Sequence, residues 1–116
     1  MKKIYHLSTC DTNRRILKEL NLPEEFEKQD IKTSPISEKE LERLFQLSGS
    51  YEALINKRAK MYSEQKLKDK NLSETDFKDL LLEHYTFLKR PVLINNNEIF
   101  IGNNKNIVAL AKESIN

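Results

Sequence analysis

The chain contains one cysteine, Cys10, placed where the apolar run Lys3-Ile4-Tyr5-His6-Leu7 gives way to small polar residues and then to helically spaced apolar ones. A cysteine at a strand-to-helix junction faces the first-turn N–H groups and the positive end of the helix dipole, which favour the thiolate, the nucleophilic form. The same amides can hold an oxyanion such as phosphate or arsenate. Arg14 and Arg15 add positive charge one turn on, with Arg14 a candidate oxyanion-binding side chain, while Asp11 opposes them. His6, four residues before Cys10 on the incoming strand, could tune the thiol by charge or by a hydrogen bond. Position alone also admits a plainer reading: a cysteine packed as a small apolar side chain, and a strand-end histidine satisfied by backbone.

The elements that must position these residues follow from pattern. Strand formers from Lys3 to Leu7 predict a strand, Ser8 to Thr12 a loop, and Ile16, Leu17 and Leu20 a helix that closes at Asn21-Leu22-Pro23. Phe26 to Ile31 reads as a second strand. Ser37 and Glu40 form a capping box ahead of Leu41, Leu44 and Phe45, and Gly49 ends that helix. Short helical pieces follow at Tyr51 to Asn56 and about Ser63 to Lys68. A second capping box, Ser73 with Asp76, opens a helix whose apolar face is expected to carry Phe77, Leu80, Leu81, His84 and Leu88, with His84 a satisfied core histidine. Val92-Leu93-Ile94, Asn95-Asn96-Asn97 and Ile99-Phe100-Ile101 read as strand, turn, strand. A last helix holds Ile107, Val108, Leu110 and Ala111.

The order β-α-β, helical middle, β-β-α is that of an α/β, thioredoxin-like fold with a mixed four-stranded sheet and a helical insertion at about 37–88, in a single domain over 1–116. Composition narrows the function classes. Hydrophobic residues at 38% and charged residues at 33% suit a soluble domain, and no window approaches a spanning helix or a signal peptide, so a cytoplasmic address and no membrane partner are expected. Twenty basic against eighteen acidic residues, interleaved, leave no stripe for direct nucleic-acid binding. One cysteine and two scattered histidines make no structural zinc site, and no bound cofactor is expected. Nothing demands more than a monomer.

Two further features gain meaning only together. Arg58 within Leu54-Ile55-Asn56-Lys57-Arg58 is, on its own, one more solvated arginine, and the Arg90–Pro91 bond is trans by composition alone, because only about 5–6% of X–Pro bonds are cis. Taken with the run Ile4-Tyr5-His6-Leu7-Ser8-Thr9-Cys10-Asp11-Thr12-Asn13-Arg14 and with Val92-Leu93-Ile94 after Arg90-Pro91, they resemble the arsenate reductase (ArsC-like) family, including its Spx-like members, across essentially the whole chain. The resemblance implies a nucleophilic Cys10, His6 as its activator, Arg58 and Arg90 as oxyanion ligands, and Pro91 as a cis-proline facing the cysteine.

Two positions depart from the family. A third oxyanion-binding arginine follows the hairpin in arsenate reductases, and an ungapped count places Asn103 there. Redox-switch members of the Spx group carry a second cysteine three residues after the first, and here that residue is Asn13. The expected function is a thiol-dependent reductase in which Cys10 attacks arsenate or a mixed disulfide. With one cysteine, the second sulfur of a two-electron reduction must come from outside, from glutathione, a glutaredoxin or a comparable thiol. The alternative is a non-catalytic Spx-like regulator that binds a protein partner such as RNA polymerase.

Overall fold

The computed structural model describes all 116 residues. Near the N-terminus, strand formers alternate into β1 (Lys2–His6), which runs into helix α1 (Asp11–Leu20) and returns through β2 (Glu27–Asp30). The helix stops at Asn21, which takes the left-handed conformation (φ 48°) and donates its N–H to the Leu17 carbonyl at 3.1 Å, two residues before Pro23 would forbid continuation. Towards the C-terminus, β3 (Val92–Asn95) and β4 (Glu98–Ile101) form a hairpin whose Asn96 has φ 59°, as expected of asparagine in a tight turn, and α5 (Lys105–Ile115) follows.

The four strands form one mixed sheet in the order β2-β1-β3-β4. β1 lies parallel to β2 and antiparallel to β3, with Tyr5 opposite Val92, and β3 lies antiparallel to β4, with Val92 opposite Ile101. Ile4 and Leu93, paired across β1 and β3, pack with Ile16 and Leu20 of α1, Val108 and Ala111 of α5, and Phe26. The strand–helix–strand and hairpin–helix halves thus share one core, which is what a thioredoxin-like sheet requires.

The chain divides into two compact units, residues 1–34 with 90–116, just described, and residues 35–89. The second unit holds α2 (Glu38–Ser48), α3 (Lys60–Glu64) and α4 (Glu74–Glu83). Both capping boxes form: Ser37 Oγ accepts from Glu40 N–H at 3.1 Å and Ser73 Oγ from Asp76 N–H at 3.2 Å, with each acidic side chain accepting the serine N–H in return. Gly49, at φ 79°, ends α2. The Glu74 carboxylate accepts the N–H groups of Tyr51 and Glu52, each at 3.0 Å, and so ties the 3-10 turn Glu52–Leu54 to the start of α4.

Two expectations need correction. The helix expected to reach Leu88 ends at Glu83, because His84 turns to extended backbone and its Nδ1 accepts the Thr86 N–H at 3.1 Å, capping a separate 3-10 turn at Tyr85–Phe87. Leu88 instead pairs with Ile55 in an isolated antiparallel bridge. The piece expected at about 63–68 begins earlier, at Lys60, and is broken by Lys66 in the left-handed conformation (φ 54°) before a 3-10 turn at Leu67–Asp69. The Arg90–Pro91 peptide bond is cis, as the family resemblance implies and against the trans bond that composition alone favours.

Candidate functional site

The sheet register brings three segments to one end of the first unit. Tyr5, Val92 and Ile101 stand side by side, so the chain leaving β1 towards Cys10, the Arg90–Pro91 pair entering β3 and the Gly102–Asn103 pair leaving β4 share that end. Gly102 N–H donates to the Pro91 carbonyl at 2.9 Å and closes the group.

Cys10 is the N-cap residue of α1, with extended backbone (φ −96°, ψ 118°) and a half-buried side chain. Its N–H donates to the Leu7 carbonyl at 3.1 Å and its own carbonyl accepts the Arg14 N–H at 3.0 Å, so the residue is held by backbone on both sides. The side chain makes no capping bond, which leaves the sulfur for other partners. That partner is Asn13, whose Nδ2 donates to Cys10 Sγ at 3.6 Å while its Oδ1 accepts the buried Leu7 N–H at 2.9 Å. Asn13 is 1% exposed. Among the sequence signals, Asn13 entered only as the place where a second cysteine was missing; a polar residue on the inward face of an otherwise apolar helix stripe was the sign of its bridging role.

The loop before Cys10 is anchored from β2. The Asp30 carboxylate accepts from the hydroxyl of Ser8, from Ser8 N–H at 3.4 Å and from Lys32 N–H at 3.2 Å. These bonds, led by the Ser8 hydroxyl, hold the Asp30 carboxyl below the usual carboxylate range. His6, opposite Asp30 in the sheet, is half-buried with its Nδ1 enclosed and without a hydrogen-bond partner. Burial is the main cause that lowers its pKa from the ordinary 6.5, with Asp30 pulling the other way and Lys28 adding to the depression.

Arg14 is exposed and spans the loop: it donates to the Ser8 carbonyl at 2.7 Å and pairs with the Asp11 carboxylate. Arg90 and Pro91 stand at the shared sheet end. Asn103 lies there as well, and with Arg15, Lys105 and Lys112 and the acid Glu19 it lines a groove of about 280 Å³ between α1 and α5. Arg58 belongs to the second unit, exposed on the turn after Asn56, whose Oδ1 accepts its N–H at 3.1 Å. No three His, Cys, Asp or Glu side chains gather where they could hold a metal ion.

Residues 5–110 match the ArsC family. The chain belongs to the ArsC family. The global transcriptional regulator Spx of Streptococcus pyogenes serotype M1 is 28% identical over 82 residues, which are 70% of this chain and 61% of the regulator, so the match leaves more than a third of that relative's length uncovered. Spx of Streptococcus pneumoniae (strain ATCC BAA-255 / R6) is 24% identical over 99 residues, 84% of this chain and 73% of that protein. Among solved structures, the arsenate reductase from Vibrio cholerae superposes with a TM-score of 0.77 at 23% identity, covering 97% of this chain and 95% of its own. An arsenate reductase (ArsC) related protein from Brucella melitensis gives 0.70 at 20% identity over 90% of this chain and 88% of its own. At these identities the structures bear on the fold, which is the thioredoxin-like fold of ArsC-type proteins, and not on the reaction. No helix of this ArsC-family chain is long and apolar enough to cross a membrane.

Proposed function

We infer that this ArsC-family chain is a thiol-dependent reductase with Cys10 as nucleophile. The observation that carries the reading is the sulfur itself: the chain's one thiol sits half-buried at the N-cap of α1, unused as a cap and held by a buried amide, at the sheet end where Arg90 and the cis-proline also stand. On a mixed disulfide, the Cys10 thiolate attacks one sulfur, the second sulfur leaves as a thiolate with the electron pair of the broken S–S bond, and Cys10 carries the adduct. An outside thiol such as glutathione, free or delivered by a glutaredoxin, then attacks the adduct's outer sulfur, forms a new disulfide with it and releases Cys10 as a thiolate, so the substrate's departing sulfur is left reduced and the outside thiol leaves oxidised in that disulfide. With arsenate, Cys10 bonds to arsenic as one oxygen leaves as water; one outside thiol then bonds to arsenic and a second attacks that thiol's sulfur, so the two leave as a disulfide while As(V) becomes As(III), and water releases arsenite from Cys10. Arg90, with a planar fork suited to oxyanions, is the side chain assigned to the substrate's negative charge, and Arg14 is the second candidate.

The test compares the parent with Cys10→Ser, using glutathione and glutaredoxin as reductant and either arsenate or a glutathione mixed disulfide as substrate. Turnover by the parent that disappears in Cys10→Ser is expected. Turnover retained in Cys10→Ser, or a parent inert towards both substrates, refutes the reading.

A second reading has one observation in its favour, the similarity to proteins named global transcriptional regulators. It takes the chain as a protein-binding module whose partner is RNA polymerase. It requires a complex with purified polymerase that survives Cys10→Ala, and the absence of such a complex retires it.

A further inference from the structure

The reductase reading needs a sulfur held in one orientation, and the structure contains a residue suited to that task. Asn13 lies on the inward face of α1, one turn after Cys10, and is 1% exposed. Both ends of its amide are committed: Oδ1 accepts the Leu7 N–H at 2.9 Å, where β1 runs out into the loop, and Nδ2 donates to Cys10 Sγ at 3.6 Å. A buried backbone N–H requires an acceptor, so the Oδ1 bond fixes which way the amide faces and therefore where its N–H points. The donor that results is neutral, cannot itself be oxidised to a disulfide, and is aimed at the one thiol in the chain.

We propose that Asn13 is the positioning residue of Cys10, its amide orienting the sulfur and donating a hydrogen bond to it whenever the sulfur carries negative charge. This rests on Cys10 being the nucleophile. Negative charge lies on Sγ twice in the cycle: in the attacking thiolate, and again when an outside thiol attacks the adduct and Cys10 departs with the electron pair. A hydrogen bond to a charged group is stronger than one to a neutral group, so the donor helps both steps. The residue stands where an internal resolving thiol would otherwise close on Cys10. An amide there keeps the adduct open to the outside thiol rather than resolving it within the chain.

Three variants separate the bridge from the donor. Asn13→Asp keeps the acceptor for Leu7 N–H and replaces the sulfur's donor with a carboxylate oxygen. Asn13→Leu removes both bonds at similar volume, and Asn13→Ser retains a hydroxyl that can serve either partner. The readouts are the rate of Cys10 reaction with iodoacetamide by intact mass, the ultraviolet absorbance of the thiolate at the same pH, and the thermal midpoint, with free glutathione as the rate reference. The expected result is a parent thiol faster than glutathione, a fall of roughly tenfold or more in rate for Asn13→Asp and Asn13→Leu, matching loss of thiolate absorbance, and partial recovery in Asn13→Ser. A merely structural residue would move the midpoint and leave the rate per folded molecule and the absorbance unchanged. If Asn13→Leu does not fold, Asn13→Ser and Asn13→Asp still carry the comparison. Folded variants that react at the parent rate overturn the positioning role alone, whereas a parent thiol no faster than glutathione overturns the nucleophile reading and the positioning role with it.

Discussion

Asn13→Cys tests the local geometry in numbers. The substitution removes the acceptor of the buried Leu7 N–H, and a buried donor left without a partner costs about 1–3 kcal/mol. Unfolding entropy of about 2.1 cal/mol/K per residue over this length makes each kcal/mol worth about 4 °C, so the reduced variant should melt about 4–12 °C below the parent. The new sulfur would stand within reach of Cys10, because the Asn13 side chain already places an atom 3.6 Å from Cys10 Sγ. Closing so short a loop stabilises by about 2 kcal/mol in the chain-entropy treatment, so oxidation with diamide, which takes up the two electrons and two protons, should recover about 8 °C. The assay is thermal unfolding of the reduced and oxidised variant, with intact mass counting alkylatable thiols, two before oxidation and none after. A reduced variant that melts with the parent would refute the bridging role of Asn13. Two thiols that stay alkylatable in the monomer after diamide would refute the placement of residue 13 against Cys10.

Other expectations concern the scaffold and its pH response. Leu93, 2% exposed in the middle of the sheet and packed in the shared core, should lose about 2–5 kcal/mol on Leu93→Ala, read by urea denaturation; a loss under half of that would mean the two halves of the first unit do not share a core. Ser73→Ala removes the cap of α4 and should cost about 1 kcal/mol by the same measurement, with no change if the capping box does not form in solution. His6 takes up its proton less readily folded than unfolded, so the unfolded chain binds more protons as pH falls below 6.5. Its contribution is then complete above 6.5 and is lost on acidification through the folded value. His6→Gln should therefore flatten the fall in stability between 6.5 and the carboxylate range, and an unchanged slope would show that burial does not hold the ring neutral.

What was legible in the sequence was local. The two capping boxes, the glycine that ends α2, the asparagine turn of the hairpin and the strand-to-helix junction at Cys10 each depend on residues within a few positions, and each formed where its pattern lay. The fold order followed from the same signals. The continuation of α4 through His84 and Leu88 was misread because helical spacing says nothing of competitors: a histidine nitrogen capping Thr86 and a bridge from Ile55, more than thirty positions away, draw those residues elsewhere. Residue statistics alone favoured a trans Arg90–Pro91 bond, and only the resemblance to a family pointed to cis. At the site, Cys10 and His6 were visible as reactive residue types, while Asn13 was visible only as a departure, because its role lies in what it touches on either side.

The order of strands in the sheet has a consequence for how the protein is made. β1 leaves the ribosome well before its antiparallel neighbour, which lies far along the chain, with Tyr5 paired to Val92. Until that later strand emerges, β1 has only β2 beside it and shows one row of backbone donors and acceptors to whatever is near, with Cys10 already attached at its end. Closing the pair encloses a loop that contains the whole of residues 35–89, an event that comes late and slowly compared with the local helices. The nascent chain therefore passes through a stage in which its one thiol and an open strand edge are presented together.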